Sequence, residues 1–179
     1  MVRLKHRYIV GQVLIDPTLS MPSSSSSSSS STPFPSKSNG VDISSRDLNA
    51  TLLDAIQTLY GDVGTGSFGM GTTGVRYMDP ISKIYVVRTS REELEKVQFA
   101  LTCVNEVKRG GSGGSNASSS LSSSSLGVNN IVLRTLDIAG SMRTCKEKLH
   151  YNLHRYARVF SLSEDILSHY DELMERLDV

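Results

Sequence analysis

Residues 138–160 read IAGSMRTCKEKLHYNLHRYARVF and carry the clearest pattern in the chain. Projected at a helical period, the apolar side chains of this stretch share one arc, namely Met142, Cys145, Leu149, Leu153, Tyr156 and Phe160. The opposite arc is polar and mostly basic, with Arg143, Lys146, His150, His154 and Arg158. Gly140 allows a turn and Ser141 can cap the first helical N–H groups. The stretch therefore predicts a helix with one side on a core and a basic side opposite.

Basic residues outnumber acidic ones around this helix. The basic residues from position 134 to 158 are Arg134, Arg143, Lys146, Lys148, Arg155 and Arg158. The same segment contains only two acidic residues, Asp137 and Glu147. The net charge of the whole chain is only +1, so positive charge is concentrated in this segment. Solvation of an exposed helix is the ordinary explanation for such charges. The local imbalance favours a phosphate-binding face instead.

The rest of the chain predicts alternating strands and helices. In chain order these are a strand at residues 8–15, a helix from 44 to Gly61, strands at 74–78 and 84–88, a helix from 90 to about 108, a strand at 130–138, the basic helix and a final acidic helix. This is the split βαβ order of an α+β sandwich, ferredoxin-like or RNA-recognition-motif-like, with a four-stranded antiparallel sheet and extra carboxyl-terminal helices. The first two helices can cover only one face of the sheet, so we expect the terminal helices, a partner or RNA to cover the other face.

Two low-complexity stretches interrupt this pattern. Residues 17–40 are rich in Ser and Pro, and we expect a disordered insertion because the tract has too few apolar side chains to offset its ordering entropy. Residues 110–127 are mostly Gly and Ser, which is typical of a flexible linker. We expect residues 1–179 to form a single domain around these two segments.

The cysteines and histidines indicate neither a metal site nor a catalytic pair. Cys103 and Cys145 fall on helical patterns without a second ligand cluster, so we expect free thiols in a reducing compartment. Cys145 and His150 lie on opposite arcs, which is poor geometry for a catalytic dyad. We therefore expect no catalytic residue, no metal ligand and no cofactor bound by the protein. No apolar run approaches the roughly 20 residues that span a bilayer, so we expect no membrane partner.

Two further patterns suggest other functions. Residues 64–69, GTGSFG, satisfy G-x-G-x-x-G, but this loop follows a predicted helix, whereas a Rossmann phosphate loop follows a strand and opens a helix. Connector glycines are the better interpretation. The split βαβ order also allows bases to stack on sheet aromatics, with Tyr8 and Tyr85 as candidates, yet residues 82–88 lack the glycine–aromatic pattern of that motif. Backbone contact by lysine and arginine is the stronger hypothesis.

Three short motifs, taken together and in order, resemble one family. They are MVRLKHRY at residues 1–8, VRY at 75–77 in the hairpin that leads to Arg88, and GSMRTC at 140–145. On these motifs the chain resembles the small protein subunit shared by ribonuclease P and ribonuclease MRP in eukaryotes and archaea. The likeness runs from Met1 to Tyr156. The two linkers and the acidic carboxyl-terminal helix are not features of the family.

The resemblance implies a ferredoxin-like subunit of an RNA–protein enzyme. A catalytic RNA, on which magnesium is expected, cleaves the 5′ leader of precursor tRNA, or precursor ribosomal RNA in the MRP particle. The protein braces that RNA, pairs with another protein subunit and meets precursor tRNA only indirectly, in the nucleus and nucleolus. By position, the resemblance implies RNA contacts at Arg3, Lys5, Arg7 and Arg143. Charge placement adds four further candidates, namely Arg88, Arg91, Lys146 and Arg158.

The resulting hypothesis is a subunit with no catalytic role of its own. Its basic amino end and basic helix would neutralise phosphates, and its apolar sheet face would meet a protein partner. The alternative is a ferredoxin-like protein–protein assembly module without RNA contact, in which the basic helix binds an acidic partner. An enzyme that acts alone is the third possibility. The molecules that co-purify with the protein, a structured RNA or proteins alone, distinguish the first two hypotheses.

Overall fold

A four-stranded antiparallel sheet lies at the centre of the molecule. The computed structural model describes residues 5–15, 43–68, 72–107 and 128–176. The elements in these ranges are β1 (His6–Ile15), α1 (Ser45–Ser67), β2 (Gly74–Met78), β3 (Ile84–Ser90), α2 (Leu94–Cys103), β4 (Glu106–Val107), β5 (Val128–Asn129), β6 (Ile131–Ala139), α3 (Met142–Val159) and α4 (Glu164–Arg176). The strand order in the main sheet is β2-β3-β1-β6. The predicted α+β fold of the ferredoxin-like split βαβ type is therefore confirmed.

Strand β1 is central because it pairs antiparallel with both β3 and β6. Its side chains alternate between the faces, so that Ile9 and Val13 enter one apolar cluster and Val10 enters the other. Gly11 lies opposite Tyr85 of β3, and a Cβ atom at this position would clash with the Tyr85 ring. Glycine therefore allows the fully buried ring to lie directly over the central strand.

Helices α1 and α2 cover one face of the sheet. A capping box begins α1, in which Ser44 Oγ accepts a hydrogen bond from Asp47 N at 3.1 Å and Asp47 Oδ2 accepts one from Ser44 N at 3.3 Å. The buried apolar side chains of these helices are Leu48, Leu52, Ile56, Val97, Ala100 and Leu101. Gly61 was predicted to end α1. Gly61 adopts a φ of 63° and breaks the helix, but a further helical segment continues to Ser67.

Helix α3 covers the opposite face, and α4 packs against α3. The buried residues of this second cluster are Val10, Ile84, Val86, Ala139, Cys145, Leu149, Leu153, Ala157 and Tyr170. The chain's own helix thus occupies the apolar sheet face that was expected to meet a protein partner, and that expectation is wrong. Tyr85 is fully buried on the α1 and α2 side and is not available for base stacking.

Helix α2 ends at Cys103, earlier than the predicted end near residue 108. Val104 leaves the helix in an extended conformation, and Val107 pairs with Val128 in the small sheet of β4 and β5. Val104 and Val107 are nevertheless only 6% and 1% exposed. The apolar pattern identified buried side chains correctly but gave the wrong backbone conformation, because β-branched residues favour strands.

The two low-complexity stretches, 17–40 and 110–127, lie outside the described residues. The insertion, the linker and the single-domain organisation therefore stay predictions. The pairing of β4 with β5 brackets the second stretch and brings its two flanks side by side. Within the described ranges, no helix has the length and apolar character required to cross a bilayer.

Candidate nucleic-acid interface

The basic start of the chain lies where four elements begin or end. His6, the first residue of β1, pairs with Ser90, the last residue of β3. Tyr8 pairs with Ala139 at the end of β6, and α3 begins shortly afterwards at Met142. We name this end of the sheet, with the first turn of α3, the basic corner. Its basic residues are Lys5, Arg7, Arg88, Arg91 and Arg143.

Direct hydrogen bonds hold the basic corner together. The backbone N–H of Arg91 donates to the carbonyl oxygen of Lys5 at 2.8 Å. The Arg7 guanidinium donates through Nη1 to the carbonyl oxygens of His6 and Gly140, both at 3.3 Å. A Cβ atom on Gly140 would lie 3.3 Å from Arg7 Nη1. Arg7 therefore bridges the start of β1 to the turn before α3, which joins two motifs that are distant in sequence.

The first turn of α3 presents Arg143 to solvent. Ser141 Oγ accepts a hydrogen bond from Thr144 N at 3.2 Å, so the predicted cap is confirmed, and the first turn holds no acidic residue. The Arg143 side chain is 90% exposed, and its Nε lies 3.4 Å from Oε1 of Glu147, which is 64% exposed. An exposed pair of this kind contributes about 0–1 kcal/mol. Arg143 can therefore exchange Glu147 for a phosphate at small cost.

A narrow depression between α3 and β2 brings together two further basic residues. Lys146 of α3 and Arg76 of β2 both line it, together with Tyr77 and Met142. Lys146 was predicted as an RNA contact, whereas Arg76 was not. The available signal for Arg76 was its place in the VRY motif of the hairpin.

Arg3 and Arg158 are the remaining predicted RNA contacts. Arg3 lies outside the described residues. Arg158 is exposed and lies in the last turn of α3. Since an α-helix rises about 1.5 Å per residue, Arg158 lies about 22 Å along the helix axis from Arg143.

Lys148, which contributes to the basic character of the sequence, is bound by the sheet. Its Nζ donates to Asp137 Oδ1 at 3.0 Å and to the Ile138 carbonyl oxygen at 2.8 Å. Asn152 donates to Asp137 Oδ2 at 3.2 Å. The hydrogen bond from Lys148 is the largest cause that lowers the pKa of Asp137 below its usual value of 3.8. Lys148 thus secures α3 on β6.

Helix α4 covers part of the basic arc farther along α3. Oδ1 of Asp171 lies 2.8 Å from His150 Nε2 and 2.9 Å from His154 Nε2. Hydrogen bonds from His150 and then His154 lower the pKa of Asp171. The adjacent Tyr170 is fully buried, and its hydroxyl donates to Asp79 Oδ2 at 3.2 Å. This bond anchors α4 on the turn between β2 and β3.

The histidine–aspartate group was not anticipated from the sequence, which indicated no metal ligands. His150, His154 and Asp171 each offer a ligand atom, and these atoms all lie within 4.8 Å of one another. The two histidines share the helical period of the basic arc, but the carboxylate comes from a different helix. The helix pairing that brings it there carries no local sequence motif.

Cys145 lies on the buried face of α3 and is only 2% exposed. Burial raises the pKa of its thiol to about 11, so it is protonated at neutral pH and is a poor nucleophile. His150, which sequence reasoning considered as its partner, bonds to Asp171 instead. Cys103 is exposed and free.

Comparisons with known proteins identify sequences and a structure that resemble this chain. Residues 7–150 match the model of the Rpp14/Pop5 family. The probable ribonuclease P/MRP protein subunit POP5 of Arabidopsis thaliana is 29% identical over 147 residues, which cover 82% of this chain and 76% of the relative. A chain in the cryo-EM structure of yeast ribonuclease MRP is similar with a TM-score of 0.46 and 10% identity, over 89% of this chain and 98% of that chain. The family match alone spans most of the chain, and the protein therefore belongs to the Rpp14/Pop5 family.

Proposed function

We propose that this protein is a subunit of ribonuclease P, the RNA–protein enzyme that removes the 5′ leader of precursor tRNA. We propose that it also serves in ribonuclease MRP, which processes precursor ribosomal RNA, and that it works in the nucleus and nucleolus. The observation that carries the proposal is the family match over residues 7–150. The name of the Arabidopsis thaliana relative supports it.

The basic corner is the proposed surface for the catalytic RNA. Lys5, Arg91 and Arg143 are exposed there, and they come from three separate parts of the chain. Positive side chains that converge on one surface release counterions when they meet phosphates, and this release supplies much of the affinity for RNA. We include Lys146 and Arg76 in this surface because they line a depression next to it. Arg158 would be a separate contact at the far end of α3.

In this proposal the protein binds no cofactor for the reaction and takes no part in bond cleavage, which belongs to the RNA and its magnesium. The buried Cys145 thiol agrees with this division, because its pKa of about 11 makes it a poor nucleophile at neutral pH. We expect the purified chain alone to leave precursor tRNA intact. Cleavage by RNA-free protein at the natural 5′ site would contradict the division of roles.

A protein partner requires a surface other than the filled sheet face. Leu14, Phe99 and Val132 are 41%, 55% and 60% exposed and line one shallow depression beside β6. Strand β6 is an edge of the main sheet, and Leu14 is the Cα partner of Val132 across β1 and β6. An open strand edge next to apolar side chains suits a partner that adds a strand or packs an apolar face. We propose that another protein subunit of the particle docks there.

Purification of the chain from its own cells tests the proposal. We expect a structured RNA, further protein subunits and cleavage of precursor tRNA in the purified particle. Val132→Lys should release a protein subunit and retain the RNA, whereas Val63→Lys, at a valine that is 85% exposed on α1, should change neither. A complex of proteins alone that survives nuclease treatment would instead support the protein–protein assembly module.

A further inference from the structure

Two neighbouring helices place a pair of imidazoles and a carboxylate around one point. His150 and His154 lie one turn apart on α3, and their ring centroids are 4.1 Å apart. Asp171 of α4 places one carboxylate oxygen 2.8 Å and 2.9 Å from the two Nε2 atoms. All three ligand atoms lie within 4.8 Å of one another. Two imidazole nitrogens and one carboxylate oxygen that converge in this way have the composition of a metal centre.

The surrounding structure fixes the group in place. The side chain of His154 is only 20% exposed, and that of His150 is 44% exposed. Leu149 and Leu153 of α3 are buried next to the two histidines in sequence. Tyr170 fixes α4 at the residue before Asp171, because it is fully buried and bonded to Asp79. The donors are thus held by packed helices rather than by loops.

The donor set selects for a particular class of ion. Imidazole nitrogen together with one carboxylate oxygen suits zinc and similar borderline divalent metals, whereas magnesium and calcium prefer oxygen ligands. Zinc ligands at 2.0–2.1 Å in a tetrahedron lie roughly 3.3 Å from one another. The hydrogen-bond distances of 2.8 and 2.9 Å would need to widen by only about half an ångström. The two Nε2 atoms lie within 4.8 Å of each other and would also need a separation of roughly 3.3 Å, which rotation of the imidazole side chains would have to supply.

We propose that His150, His154 and Asp171 bind one zinc ion through the two Nε2 atoms and one carboxylate oxygen, with water at the remaining position. The metal would join α4 to α3, in addition to the apolar packing between these helices. His154 and Asp171 lie beyond residues 7–150, so the family match does not cover the site. The proposal does not depend on the proposed function, because zinc can be measured on the protein without RNA.

The test uses the full chain without an affinity tag, freed of metal by a chelator. We expect one zinc ion per chain by equilibrium dialysis and elemental analysis, and a higher melting temperature in zinc than in chelator. Magnesium should produce neither effect. Cobalt in place of zinc should give the visible spectrum of nitrogen and oxygen ligands without a thiolate charge-transfer band, which separates this site from the exposed Cys103.

Single substitutions locate the ion. His154→Ala and Asp171→Asn should each weaken zinc binding by about a hundredfold or more, because even the loss of a residue that only supports a metal ligand costs about 10–100-fold. His169→Ala, at an exposed histidine of α4 outside the group, should bind zinc as the parent chain does. Asp171→Asn retains the size and an oxygen acceptor, so it tests the ligand even if His154→Ala fails to fold.

Three results would overturn the proposal. The first is no zinc binding by the parent chain. The second is zinc binding that survives both His154→Ala and Asp171→Asn. The third is a loss of stability in Asp171→Asn that is equal in zinc and in chelator, which would leave the three residues as a metal-free hydrogen-bonded link.

Discussion

The two halves of α3 are similar in sequence but meet different surroundings. In the first half, Arg143 is 90% exposed and follows Gly140, whose carbonyl oxygen accepts a hydrogen bond from Arg7 of β1. In the second half, His154 belongs to the same polar arc but is 20% exposed and bonded to Asp171 of α4. The periodic pattern that predicts one basic face therefore covers two environments. The first half keeps its basic arc open for phosphate, whereas α4 covers His150 and His154 in the second half and leaves Arg158 exposed in the last turn.

The difference comes from one buried contact outside the pattern of α3. Tyr170 of α4 reaches Asp79, which lies between β2 and β3 and is 1% exposed. Asp79 also accepts hydrogen bonds from Ile81 N at 3.2 Å and from Ser82 Oγ at 2.6 Å. Burial and then Asp79 raise the pKa of Tyr170, so its hydroxyl stays protonated as the donor. This contact fixes α4, and with it the carboxylate that covers the histidines.

The largest effect is expected from Tyr170→Ala, which removes the anchor of the second half. Loss of a fully buried aromatic ring should lower the free energy of unfolding by about 3–5 kcal/mol. Urea unfolding followed by circular dichroism measures the change. At temperatures where the variant is folded, its RNA affinity should stay close to that of the parent chain. Tyr170 bonds to Asp79 in the turn before β3, whereas the basic corner lies at the end of β3.

His169→Ala is the matched control, since it alters the exposed neighbour on the same helix. We expect it to stay within about 0.5 kcal/mol of the parent chain. Tyr170→Phe keeps the ring and should cost about 1–3 kcal/mol for the donor that Asp79 loses. If Tyr170→Ala were as mild as His169→Ala, α4 would not be anchored on the hairpin, and the contrast between the two halves would fail.

The next effect is expected from reversing the charge of the first half, with Arg143→Glu and Lys146→Glu together. If each residue neutralises one phosphate, the slope of log affinity against log salt should fall by about 1.4–1.8. Between 50 and 200 mM salt, the parent chain should then lose about seven- to twelvefold more affinity than the variant. Filter binding to the co-purified RNA at several salt concentrations measures the slope.

Arg155→Glu with Arg158→Glu makes the same charge change in the second half. We expect a smaller change in slope, because Arg158 is remote from the basic corner. Glutamate at position 143 lies in the first turn of α3, where a carboxylate interacts favourably with the helix dipole, so the fold should persist. Equal slopes for the two pairs would mean that both halves bind RNA alike. An unchanged slope for the first pair would remove the basic corner from the RNA surface.

The fold could be predicted from the sequence to the extent that its signals are local. The cap at Ser141 and the first strand are signalled by neighbouring residues, and both are confirmed. Gly61 breaks α1 with its positive φ as expected, but the second helical segment that follows it to Ser67 was not predicted. The predicted end of α2 near residue 108 is wrong, because the apolar pattern indicates burial but not the backbone conformation. A buried Val107 is compatible with either a helix or a strand. Its pairing with Val128 depends on residues far along the chain.

The candidate site divides in the same way. Charge placement identified Arg88 and Arg91, and the family resemblance implied Arg143. The antiparallel register brings the start of β1 and the ends of β3 and β6 to the same corner. Arg76 was missed because its partner across the depression lies on another element. The link between His150 and Asp171 depends on the packing of two helices, which no local pattern specifies. Prediction therefore failed mainly at contacts between elements.

The smallest effect concerns Asp137, which binds Lys148 and Asn152 where the two halves of α3 meet. The folded-state pKa of Asp137 lies below 3.8, so its bonds stabilise the fold above that pH, and this contribution is lost as the pH falls through the folded-state pKa. The side chains of Lys148 and Asp137 are 39% and 35% exposed, so solvent screens the pair. We expect Asp137→Asn to cost about 0.5–1 kcal/mol at pH 7 and progressively less below pH 3.8.

Urea unfolding of the parent chain and Asp137→Asn at pH 7, 5 and 3 measures that difference, and Lys148→Met completes a double-mutant cycle. The coupling energy between Asp137 and Lys148 should be favourable at pH 7 and shrink at pH 3, because protonation removes the charge of Asp137 but leaves Lys148 charged. A coupling energy that stays constant with pH would show that the carboxylate charge does not hold α3 on β6. In that case, apolar packing and the hydrogen bonds that Lys148 donates to Ile138 and Asn152 donates to Asp137 would keep both halves of the helix on the sheet.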